Sequence, residues 1–194
     1  MADGTPDRIG MTEEELIGAL SDRWQEHFAD EMARRVCAAE AVGMLYRIAA
    51  GPDDRLGTLP KPARRKIGFR AAYVLERVCL RSWTAFLPCA EDFCRRAFPA
   101  CTDPSARRHF GKIMIELLQR VHPDPEVLER IAETAAEWAV EPGSKVAVRV
   151  WAMEVLKACR GRVGWVDESW EDLVEAQAAG ATPGIESRLR RSWR

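Results

Sequence analysis

The chain has 194 residues, 47% of them hydrophobic and 30% charged, with a formal net charge of −1. That length accommodates one domain or one short array of repeats around a substantial core, and the composition is that of a folded chain rather than a disordered one outside its ends. A net charge so near zero supplies no global field to recruit nucleic acid or an acidic membrane, so an anionic partner would need a local basic patch.

The opening MADGTPDRIG is polar and has no signal-peptide core, and no apolar run approaches the roughly 20 residues of a membrane span. The expected location is the cytoplasm, with no membrane partner. Residues 1–11 read as a flexible leader. Thr12 and Glu15 then form a capping box for a helix starting near Glu13. From Ser21 to Ala50, Trp24, Phe28, Met32, Val36, Leu45 and Ile48 recur at helical spacing, as two helices whose junction the pattern does not fix. Residues 12–50 are thus a helical N-terminal cap, ended by Gly51-Pro52. The stretch 51–62, with Gly57, Pro60 and Pro62, reads as a loop.

Beyond Pro62 the punctuation becomes regular: Pro88, Pro99, Asp103-Pro104, Pro123, Pro142-Gly143, Gly164 and Pro183-Gly184. It predicts helices near 63–80, 84–98, 104–120, 124–140, 144–160, 166–179 and 184–193. No segment alternates with period two, and the connections are short, as between antiparallel helix neighbours. The expected fold is all-α, a single domain overall, with residues 63–194 as a repeat array.

The repeat is visible in the residues. Ile67–Leu75 reads IGFRAAYVL and Val148–Leu156 reads VRVWAMEVL; aligning helix ends at Leu75, Leu118 and Leu156 gives steps of 43 and 38 residues. These steps sit close to the ~40–47 residues of a two-helix HEAT or armadillo unit. The middle unit, RRHFGKIMIELL at 107–118, places Met114 where the others have Ala71 and Ala152, so helix approach there should differ. The run from Arg70 (RAAYVLERV), through VHPDPEVLERIAETAAEWAVEP at 121–142 and VAVRVWAMEVL at 146–156, to GIESRLRR at 184–191 resembles a family of small bacterial HEAT-like helical proteins. The resemblance covers roughly two-thirds of the chain. It implies a right-handed α-α superhelix and carries no catalytic residue with it.

Motifs for chemistry are sparse. His27, His109 and His122 lie far apart, without metal-ligand spacing, and read as surface or capping residues. The six cysteines include no CxxC pair and fit reduced, buried thiols; Cys89, Cys94, Cys101 and His109 lack the spacing of a zinc site. Neither GxGxxG nor GxxxxGK[ST] occurs, and no cofactor is expected. Glu126, Glu129, Glu133 and Glu137 form one stripe that reads as a solvated helix face. Seven tryptophans are expected mainly in core and inter-repeat packing, with the capacity to anchor a partner.

Charge sorts between the helices of each unit. First helices are acidic, as in Glu126–Glu141 and at Asp167, Glu168, Glu171, Asp172 and Glu175; second helices begin basic. Arg64, Arg107 and Lys145 occupy equivalent repeat positions, Arg65, Lys66, Arg108 and Arg149 thicken the band, and Arg188, Arg190, Arg191 and Arg194 extend it. Cations in a first helical turn oppose the macrodipole, so helix stability does not account for them. In a HEAT-like stack they would form a positive ladder on the concave face, with Arg64, Arg65, Arg107, Arg108, Lys145, Arg149 and Arg188 as anion-binding candidates. Acids of neighbouring repeats are the competing destination for these side chains. Two functions follow: a non-catalytic module binding an acidic or extended protein partner in its groove, or a nucleic-acid-binding protein resembling HEAT-like alkylpurine DNA glycosylases.

Overall fold

The computed structural model describes residues 10–23 and 25–194, so Trp24 and all of the expected leader except Gly10 and Met11 lie outside the described residues. Every regular element among them is helical, as the punctuation and the absence of alternation require. The chain divides into two compact units, Met1–Cys89 and Ala90–Arg194.

The first unit contains α1 (Glu13–Ser21), α2 (Phe28–Ala38), α3 (Val42–Ala50), the single turn α4 (Pro52–Arg55) and the long α5 (Lys61–Arg81). The capping box forms as expected: Thr12 Oγ1 accepts the Glu15 amide at 3.2 Å, and the Thr12 amide donates to Glu15 Oε2 at 2.8 Å. These bonds to backbone and hydroxyl hold the Glu15 carboxyl below its usual pKa. Helices α1, α2 and α3 all pack on α5, burying Leu16, Leu20, Val36, Leu45 and Ile48 against Ile67, Ala71 and Leu75. The expected pair of helices between 21 and 50 is α2 and α3, parted by Glu40, whose φ of 53° is left-handed. Helices usually end this way on glycine. A glutamate there leaves no mark in the sequence, which is why the junction could not be read. Within the expected loop at 51–62, residues 52–55 form α4.

Helix α6 (Trp83–Asp92) crosses from one unit to the next and continues as a π-helical turn, Phe93–Ala97. Pro88 lies inside α6, within the helix expected over 84–98, and α6 forgoes one backbone hydrogen bond there.

The second unit continues with α7 (Pro104–Arg120), α8 (Pro125–Val140), α9 (Val146–Cys159), α10 (Gly164–Glu168), α11 (Trp170–Ala178) and α12 (Pro183–Arg188), the last followed by a π-helical turn, Leu189–Trp193. Proline occupies the first turn of α7, α8 and α12, where its missing N–H costs nothing. Asp103 Oδ1 caps α7, accepting from the Ser105 and Ala106 amides at 2.7 and 3.1 Å. The helix expected over 166–179 is two, because the chain turns at Ser169 between α10 and α11. Helix α9 packs against α7, α8 and α12, so the basic helices α7, α9 and α12 are consecutive neighbours. It approaches α7 closely at Gly111, where an added Cβ would lie 2.8 Å from the Cβ of Trp151. The helices of the middle unit thus meet at Gly111, three residues before Met114. Gly68 in α5, 43 residues earlier, gives the same kind of room to Pro52, whose Cβ would be 3.0 Å away.

Candidate functional site

The basic positions that align in the repeat do different work in the structure. In the first unit, Arg64 turns toward its own preceding loop: Nη1 donates to the Gly57 and Leu59 carbonyls at 3.2 and 3.0 Å, and Nε lies 2.8 Å from Asp53 Oδ1. Arg65 is exposed beside it. Lys66 and Arg70 reach the end of α1. Lys66 Nζ donates to the Ser21 carbonyl at 2.9 Å, and Arg70 Nη1 donates to Leu20 O at 2.8 Å and to Asp22 O. These carbonyls have no partner within α1, so the two cations complete its C-terminal hydrogen bonding and face the negative end of its dipole. Arg70 is buried, and burial pulls its pKa down against the raising influence of Asp22.

In the second unit, Arg107 is also turned inward. Its side chain is 12% exposed, donates from Nε to the Cys101 carbonyl at 3.1 Å, pairs with Glu141 and stacks 5.2 Å from the centre of the Trp138 ring. Lys145, its register equivalent, is exposed and reaches only Ser105 Oγ at 3.2 Å. Arg149 Nε donates to Gln177 Oε1 at 2.9 Å, and Gln177 Nε2 donates to the Ala139 carbonyl at 3.1 Å, linking α9 through α11 to the end of α8. Arg108 is half-exposed on α7, with Nε 3.1 Å from His109 Nε2. His109 itself is buried, which corrects its reading as a surface or capping residue.

Arg188 brings two missed residues into view. Its guanidinium lies 5.5 Å from the centre of the half-buried Trp151 ring, and Lys112 Nζ lies 5.3 Å from the same ring. Lys112 on α7, Trp151 on α9 and Arg188 on α12 therefore form one row across three adjacent helices. Arg188 also donates to Glu154 Oε1 at 3.2 Å. That oxygen accepts the Trp193 indole N–H at 3.0 Å as well, and Lys157 Nζ donates to the Ser192 carbonyl at 2.8 Å. The C-terminal segment is thereby moored to α9. The available signal was the four-residue spacing of Arg108 and Lys112, which puts both on one face of α7; repeat alignment alone looked one turn too early.

Comparison with known protein families, curated proteins and solved structures found no match.

Trp138 and Trp165 serve packing. Trp138, buried, lies 4.5 Å from Phe98 between ring centres, and Trp165 Nε1 donates at 2.6 Å to Glu129. Glu129 is half-buried by that bond, whereas Glu126, Glu133 and Glu137 stay on the solvated face expected of the stripe. Burial pushes the Cys94 thiol up to about 11 and the Cys159 thiol up to about 12, opposite to what a nucleophilic thiolate needs. Among the described residues no three of His, Cys, Asp and Glu are grouped to hold a metal ion. No helix among them is long and apolar enough to cross a membrane.

Proposed function

We propose that this chain is a non-catalytic interaction module: a short HEAT-like α-α stack, akin to the small bacterial helical family it resembles, whose second-helix layer receives an acidic, extended protein segment. One observation carries the reading. The neighbours α7, α9 and α12, with the residues that flank α9 and α12, bear Arg108, Lys112, Lys145, Lys157, Arg188 and the exposed Arg190 and Arg191 beside Glu116, Glu154 and Glu186, while α8 and α11 bear Glu126, Glu133, Glu137, Glu171, Asp172 and Glu175 beside the single Arg130. Charge so sorted creates a local positive field in a molecule of nearly zero net charge. Such a field steers and orients an anionic partner more than it adds raw affinity.

The test is titration of the full chain with a fluorescent Glu-rich polypeptide over a range of salt concentrations, read by anisotropy. Binding at low salt that weakens steadily as salt rises supports the reading. No binding at low salt removes it. A second titration with duplex DNA addresses the nucleic-acid alternative, which requires the steep salt dependence of counterion release and tighter binding to DNA than to the polypeptide.

A further inference from the structure

Arg149 is held by a partner without charge. Its Nε donates at 2.9 Å to Gln177 Oε1, and Gln177, 1% exposed, donates from Nε2 at 3.1 Å to the Ala139 carbonyl, one of the last carbonyls of α8, which the helix itself leaves unbonded. A buried amide satisfied at both ends has a fixed orientation, so Arg149 is anchored through one N–H group. Its two terminal nitrogens have no hydrogen-bond or carboxylate partner among the described residues. Arg149 and Gln177 line a cavity of about 260 Å³, together with Ala176 and the turn at 141–144, which Gly143 bends with a φ of 78°. The charged residues of this lining are Arg149 and Glu141. Glu141 is paired with Arg107, whose side chain is 12% exposed, so the carboxylate is already balanced and Arg149 leaves the cavity with one positive charge in excess.

We infer that this cavity binds a single carboxylate group, received by the two terminal nitrogens of Arg149. A guanidinium offers two parallel N–H groups to the two oxygens of a carboxylate, and anchoring its Nε removes in advance much of the cost of holding the fork still. One excess charge matches a carboxylate and falls short of a phosphate dianion. The Ser144 hydroxyl, also in the lining, is a second donor within the cavity. The volume lies below the roughly 300 Å³ at which pockets for larger ligands begin, so the carboxylate brings only a small group with it. Val140, which lines the cavity and is 55% exposed, gives that group an apolar contact. A free short-chain acid and the last residue of a peptide share this chemistry. The inference goes beyond the acidic-segment reading and does not depend on it, because the cations invoked there do not line this cavity.

The experiment titrates the full chain with N-acetylalanylvaline, with the same dipeptide as its C-terminal amide, with butyrate and with inorganic phosphate, following binding by ligand-detected NMR. The expected result is binding of the free acid that is roughly tenfold or more weaker for the amide and for the Arg149→Ala chain, in line with loss of one charge-assisted contact. Arg149→Ala also leaves the buried Gln177 oxygen without its donor, so thermal unfolding verifies that the variant is folded. Ala176→Leu provides a second variant: position 176 is exposed, and the larger side chain fills the cavity without disturbing the interior, so it too should weaken binding. Butyrate bound as tightly as the dipeptide acid supports a free acid as the natural source, and tighter binding of the dipeptide supports a peptide terminus. Equal binding of acid and amide, or acid binding indifferent to both substitutions, overturns the site. Phosphate bound more tightly than either acid overturns the choice of carboxylate, and no binding of any probe overturns the inference while leaving the acidic-segment reading untouched.

Discussion

Gly111 and Gly18 are both helical glycines, and the space around them separates their roles. A methyl group at 111 would meet Trp151 Cβ at 2.8 Å, and that atom is fixed by the α9 backbone, so the two helices would have to part. Gly111→Ala is expected to destabilise the chain by about 1–3 kcal/mol, the usual cost of overpacking. Gly18 in α1 has nothing within 4 Å of the same position. Gly18→Ala should therefore be neutral or stabilising by up to about 1 kcal/mol; urea unfolding of the two variants measures the contrast. Cys159 provides a second check at this scale. Its thiol is held protonated to about 12 in the folded chain against an ordinary value of 9.0. The unfolded chain thus releases its proton first as pH rises, and stability that is intact below pH 9 declines between pH 9 and 12. Cys159→Ala should flatten that part of the stability–pH curve, and native Cys159 should resist alkylation at neutral pH.

At the scale of elements, equivalent position does not mean equivalent role. Arg107 and Lys145 share a repeat register, yet the first joins Cys101, Glu141 and Trp138 while the second reaches one exposed hydroxyl. Arg107→Ala should cost about 1–2 kcal/mol and Lys145→Ala less than about 0.5 kcal/mol, as read by denaturant midpoints. Arg70 is the corresponding case in the first unit. Removing it leaves the Leu20 and Asp22 carbonyls without their buried donor, so Arg70→Ala should cost about 2 kcal/mol or more. Amide exchange should also quicken selectively in the last turn of α1. These contrasts show how far the sequence could be read. Helix starts at Asp103-Pro104 and Pro183-Gly184 and the capping box at Thr12 were legible because proline, aspartate and threonine act on backbone groups within a few residues. The destinations of Lys66 and Arg70 were not, since their carbonyl partners lie about 50 positions away in sequence and only packing brings them near.

For the whole chain, the all-α class was legible from periodicity and from the absence of alternation, both of which survive without knowledge of any contact. The grouping of helices was not. Helix α5 packs on α1, α2 and α3 across the 51–62 loop, and the division into compact units falls inside α6, where the sequence has no glycine. A loop read from proline and glycine marks a bend in the chain, whereas a unit is defined by which apolar faces close on each other. The candidate surface followed the same logic: repeat spacing led to the basic helices α7, α9 and α12, and packing alone determined which groups Arg107, Arg149 and Arg188 bond.

The two close helix approaches, at Gly68 and Gly111, stand 43 residues apart, the same interval that separates Leu75 from Leu118. What recurs at that interval is an absence as well as a side chain. Chains built this way could be aligned on their hollows: a position with little room for a methyl group is a sharper landmark than an apolar residue that several others could replace. A search that scores where bulk is forbidden would recover distant members of such a group after their leucines and valines had drifted beyond recognition.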